Sequence, residues 1–222
     1  MKDKGRLIMS EYEYKNIIDI IEKNKNFLMQ EVKNESKSTY NFSYPYLLNY
    51  FDRIKKDSTS QWLICGSSMV YSWMPTILNF NFEQGRIDHA TNSLKEIKKL
   101  VNNKPFDFNR PELPLLLNPI VTVINNSIVG VSKFLHFSYP EIFPIWDSRV
   151  ERAISGTQNN YHRTKSIKNY IQYSKSIHKV VDEKKNDWIA NELFNDSNNN
   201  LSPIRKIESM LFLLGKNTNK QK

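Results

Sequence analysis

Apolar side chains recur at the helical interval through nearly every stretch of this chain, and that periodicity is what most restricts its fold. Tyr14, Ile17, Ile18, Ile21, Leu28 and Val32 share one face of a helix predicted over about 11–33, opened by the capping-box pair Ser10 and Glu13. Behind the aromatic cluster Tyr40, Phe42, Tyr44 and Tyr46 a second helix is expected at about 44–56, with Pro45 in its first turn. A third, about 61–74, is capped by Ser60 and ended by Pro75; it is apolar on most sides and reads as the central core helix. Ile87, Ala90, Leu94, Ile97 and Val101 line a fourth, about 87–102, with Lys95, Lys98 and Lys99 turned outward. The triplet at 80–82 between them reads as a brief extended piece.

The second half repeats the pattern. A helix over about 114–125 ends at Asn125–Asn126, and a long one over about 164–184 sets Ile167, Tyr170, Ile171, Ile177 and Val181 opposite Lys165, Lys168, Lys175 and Lys179. That basic stripe reads as a solvated face. A short helix at 187–194 and a last one from Ser202–Pro203 to near Gly215 complete the set. With only six glycines in 222 residues, the fold class is mainly α. Pro105, Pro111 and Pro114 mark 103–113 as the best internal boundary, giving an N-terminal helical subdomain (1–104) and a C-terminal one (105–222) within one compact unit.

Composition narrows the function classes. The formal charge of +9 favours a polyanionic partner, nucleic acid before membrane. The joint richness in Lys, Asn and Ile offers a second explanation, coding bias, and both stay open. Cys65 is the sole cysteine, which excludes intramolecular disulfides and multi-cysteine metal sites. His89, His136, His162 and His178 are too scattered for a metal centre, and no HExxH, P-loop, GxSxG or GxGxxG string occurs. No cofactor is expected. No run approaches the ~20 apolar residues that span a bilayer, and none has signal-peptide length. The expectation is a soluble, cytoplasmic monomer with no membrane partner.

Chemistry concentrates between Ser127 and Ile154, in SIVGVSKFLHFSYPEIFPIWDSRVERAI. Two readings of its start remain open. In one, Gly130 makes a tight turn and Ser132 caps the next helix, with Lys133 in its first turn beside an anion-binding N-terminus. In the other, 127–138 is one continuous helix and Gly130 permits close packing. Downstream, Pro140 and Pro144 bracket a short crossing, and Asp147 and Ser148 are both good N-cap residues for a second helix. Ser148 with Glu151 matches a capping box. Arg149 and Arg152 stand one turn apart, suited to phosphates or to solvent.

The string Ser132, Lys133, Leu135, His136, Phe137, Pro140, followed by Asp147, Ser148, Arg149 and Val150, resembles the helix-hairpin-helix DNA glycosylase superfamily, and within it the bacterial relatives of 8-oxoguanine DNA glycosylase. The hairpin is degenerate: Val129 stands for the usual proline, Ser132 for the second glycine, and Lys133 falls one residue early. The resemblance covers about a quarter of the chain. It implies a helical glycosylase-like fold and double-stranded, damaged DNA as partner. It also implies Lys133 as nucleophile at C1′ and Asp147 as stabiliser of the developing sugar cation. Gly130, Ser132, Arg149 and Arg152 would meet the DNA backbone. His136, Phe137, Trp146 and Trp73 would wall the pocket for a flipped base. Two rivals stand beside it: a catalytically silent helical DNA-binding protein, and a protein-interaction or host-defence module whose charge is compositional.

Overall fold

The apolar stripes do form helices. The computed structural model describes residues 14–35, 38–103, 105–158, 161–186, 188–189, 191 and 201–217, and the described residues are mainly helical with no strand among them. Helices α1 (Tyr14–Lys23), α2 (Lys25–Glu35), α3 (Thr39–Ile54), α4 (Thr59–Ser72), α5 (Gln84–Asn102) and α6 (Leu113–Val123) occupy the first half. Helices α7 (Ile128–Ser138), α8 (Ser148–Ser155), the short α9 (Tyr161–Thr164), α10 (Ile167–Asp182) and α11 (Pro203–Asn217) follow. The expected Ser10–Glu13 cap lies outside the described residues, as does most of the expected helix at 187–194.

Several boundaries differ from expectation for local reasons. The first predicted helix is two, because the chain turns at Asn24, whose amide donates to the Ile20 carbonyl at 2.8 Å. Helix α3 starts earlier than predicted: the Ser38 hydroxyl accepts from the Asn41 N–H, so Pro45 lies inside the helix rather than in its first turn. In α4 the cap is Ser58, not Ser60. That helix is also not buried all round. Trp62, Leu63, Gly66, Ser67, Val70 and Tyr71 face the core, while Ile64 is exposed. The triplet at 80–82 is extended as expected: Phe80 bridges Ile124 antiparallel, and the Asn81 N–H donates to the Val123 carbonyl.

The chain divides into two compact units, residues 38–145 and a unit that joins residues 1–37 to 146–222. The expected division at 104/105 does not coincide with this. It falls inside the first of these units, where α5 packs on α6 across the Pro-rich connection.

Within the 38–145 unit, α4 packs on α3, α5 and α7, and α7 also meets α3 and α6. Two glycines set the closest approaches. A Cβ on Gly66 would come within 2.6 Å of the Phe134 ring, and one on Gly130 within 2.5 Å of the Tyr71 hydroxyl. The core between them is aromatic: Trp62 stacks on Phe134 at 5.3 Å, and Phe51 meets Phe134 at 5.7 Å. Long cations close helix ends, with Lys98 donating to the Lys55 carbonyl and Lys55 to the Ser138 carbonyl.

In the other unit, α8 and α10 pack on α11, α1 on α8 and α10, and α2 on α11. Gly215 admits the close α8–α11 approach, since a Cβ there would overlap the Arg149 carbonyl. A buried ion pair joins Arg205 to Glu208, and a partly buried one joins Arg163 to the buried Glu151.

Candidate functional site

Lys133 sits in the second turn of α7. The helix is continuous from Ile128, and its cap is Ser127, whose hydroxyl accepts from the Gly130 N–H at 3.2 Å. Of the two readings left open for this segment, the structure shows the continuous helix. The other reading, with Ser132 as the cap and Lys133 in the first turn, does not hold. Ser132 is buried and donates to the Val129 carbonyl at 2.9 Å. Gly130 is present because the Tyr71 ring lies against it. The Tyr71 hydroxyl is hydrogen-bonded to Ser127; burial pushes its pKa up, and that bond opposes the shift.

Two helices therefore meet through a turn placed upstream of Gly130. Helix α6 ends at Val123, and Asn125 and Asn126 both take the left-handed conformation, φ 54° and 48°. Asparagine tolerates that region better than other non-glycine residues. The Ser127 N–H closes the turn on the Ile124 carbonyl at 2.9 Å, and the Asn125 amide donates to the Ile77 carbonyl at 2.9 Å.

Lys133 is 6% exposed, and every neighbour from Gly130 to Ser138 is buried. Among soluble proteins a buried lysine is uncommon without a structural or chemical task. Three residues on, His136 is fully buried. Its Nδ1 lies 2.7 Å from the Phe143 carbonyl and its Nε2 2.7 Å from the Tyr44 hydroxyl. A carbonyl only accepts, so Nδ1 carries the proton, and in the neutral ring Nε2 accepts from Tyr44. Phe137 packs on Trp73 at 5.1 Å, and Trp73 is half-buried, its indole N–H donating to the Ser43 hydroxyl. The structure thus gathers His136, Phe137 and Trp73 into one packed aromatic cluster of the 38–145 unit, together with Tyr44, which the sequence did not single out for a site.

Asp147 and Trp146 belong to the other unit. Asp147 is the N-cap of α8, accepting from the N–H groups of Arg149 and Val150 at 2.9 and 3.0 Å. Ser148 is the first residue of the helix rather than its cap, and Glu151 pairs with Arg163 instead of closing a capping box. Trp146 is fully buried, with its ring 5.0 Å from Tyr173 and its N–H on the Thr164 carbonyl. The Tyr173 hydroxyl is held well above the usual tyrosine pKa, first by burial and then by the Asp147 charge. Arg149 and Arg152 both have internal partners. The first lies over the Phe212 ring at 4.7 Å, and the second donates to the Gly215 carbonyl at 3.0 Å. No helix among the described residues is long and apolar enough to cross a membrane. Comparison with protein-family models, with curated proteins and with solved structures gives no match to this chain.

Proposed function

We propose that this protein is a helical DNA glycosylase with lyase activity on an oxidised purine, acting as a cytoplasmic monomer. The observation that carries the reading is Lys133, a primary amine that is 6% exposed on a helix buried from Gly130 to Ser138. An amine attacks carbon only when neutral, and the proposed reaction requires Lys133 to reach that form before attack. In the proposed reaction the Lys133 amine attacks C1′ of the damaged nucleotide and the base departs with the electrons of the glycosidic bond. Loss of the amine proton and opening of the sugar ring then leave an imine on Nζ. The buried position requires α7 to open toward substrate, a step common in enzymes that take a base out of the stack.

The order of elements supports the same reading. Helix α6, the four-residue turn with left-handed Asn125 and Asn126, and α7 form a helix–turn–helix. We take this to be the degenerate hairpin, displaced upstream of Gly130. The Pro140–Pro144 crossing then leads to Asp147, a carboxylate fixed on the first turn of α8. A carboxylate so fixed is suited to stabilising a sugar cation without reorganising. Gly130 and Ser132 are packed inside the protein, whereas Arg149 and Arg152 are half-buried, each with an internal partner, so of the four only the arginines can reach a DNA backbone in this reading.

Strand scission on duplexes carrying 8-oxoguanine or an abasic site tests the proposal, with Lys133→Gln in parallel. Lesion-dependent cleavage lost in the variant is the expected result. Salt-sensitive duplex binding with no cleavage of any lesion would leave the silent DNA-binding rival in its place.

A further inference from the structure

The solvent face of α3 carries two aromatic rings that the fold leaves uncovered. Phe42 is 71% exposed and Tyr46 68%, with their ring centroids 5.8 Å apart. At ~100° per residue, positions 42, 46, 49 and 53 fall within about 60° of arc, and the row runs about 16 Å along the helix. Asn49 and Arg53 complete it, both exposed, and the side chain of neither has a hydrogen-bond or ion-pair partner among the described residues. The ring end is firmly backed. Tyr40 meets Trp73 edge-on at 5.1 Å, and Trp73 donates to Ser43, tying the start of α3 to the end of α4.

We propose that this face is a stacking surface for unpaired nucleobases of a single-stranded nucleic acid. Rings offer π-faces to successive bases, the Asn49 amide can donate to and accept from base edges, and the Arg53 guanidinium meets a phosphate. Charge argues against a second copy of the chain as occupant. Two copies of a chain with net charge +9 repel each other, and Asp52 on the flank already holds Lys55 and Lys56, each at 3.0 Å, which leaves Asp57 as the carboxylate near Arg53 that could meet a cation of a second copy. The chain's +9 charge favours a polyanion throughout. The inference rests on reading the protein as one that works on nucleic acid, and it is independent of Lys133 chemistry.

Fluorescence anisotropy of a labelled oligothymidine at several salt concentrations tests it, with a duplex of equal length alongside. Phe42→Ala with Tyr46→Ala is expected to weaken single-strand binding about tenfold or more, the scale of lost base stacking, with the salt slope unchanged. Tyr46→Phe, which keeps the ring, should bind as wild type. Arg53→Gln should reduce the slope by about 0.7, one phosphate's share on a single strand. Wild-type affinity in the double alanine variant would overturn the proposal. So would a wild-type protein that binds no single strand, or a dimer by light scattering that the double variant converts to monomer. Lesion cleavage reports separately: if it is absent while the alanines still weaken single-strand binding, the enzymatic reading fails and this one stands.

Discussion

Asp147 combines two roles that substitution separates. Its carboxylate caps α8 through two backbone N–H groups, and in the proposed reaction its charge steadies a sugar cation. Asp147→Ala removes both and should cost about 1 kcal/mol of stability. Asp147→Asn keeps a capping oxygen and loses the charge. It should unfold in urea close to wild type yet cleave lesions about a hundredfold more slowly, in line with the loss of one preorganised electrostatic contact. Equal cleavage rates for Asp147→Asn and wild type would reduce Asp147 to a cap. Buried tyrosines set the alkaline limit. Burial pushes Tyr139 from 10.0 up to about 12 and raises Tyr170 and Tyr173 further. These groups ionise more readily in the unfolded chain, so the stability they contribute is complete below pH 10 and is lost as pH rises from 10 toward 12. Urea midpoints that fall across that window, together with a late phenolate absorbance change, are expected. Phenolate appearing near pH 10 with an unchanged midpoint would contradict it.

At the scale of elements, helix existence was legible because apolar spacing is local, whereas the helix ends were less so. Ser58 and Ser60 are equally good caps on sequence, and only the path of the chain selects Ser58. For the same reason Gly130 could be read as a turn or as a packing contact. What decides is the Tyr71 ring, which lies 59 residues away in sequence and carries no local signal. The contact gives a double-mutant test. Gly130→Ala should destabilise by about 1–3 kcal/mol through overpacking, and by less when Tyr71→Phe has removed the hydroxyl nearest the new methyl. Additive effects in thermal unfolding would show that the ring yields instead. The glycines should also rank. Gly215→Ala meets backbone at Arg149, which cannot swing aside, and should be the most damaging, while Gly85→Ala meets nothing within 4 Å and should be neutral or stabilising.

For the whole molecule, the mainly helical class followed from periodicity, but the division into units did not. One unit draws on both chain termini, through packing of α1 and α2 on α8, α10 and α11, and no composition shift marks that return. The Pro-rich stretch at 103–113 looked like a boundary because prolines break helices, yet breaking a helix need not end a unit. The candidate site was legible in part. Lys133, His136 and Asp147 stood out by residue type, whereas Tyr44 and Tyr71, which fix His136 and the start of α7, come from distant helices. The central claim is that Lys133 is an amine nucleophile toward damaged DNA. Borohydride trapping tests it most directly, on duplex DNA carrying 8-oxoguanine or an abasic site, because the reductant converts only an imine into a stable bond. A covalent protein–DNA adduct that forms with wild type and disappears in Lys133→Gln is the predicted result. No adduct on either substrate, or an adduct that persists in the variant, would contradict it.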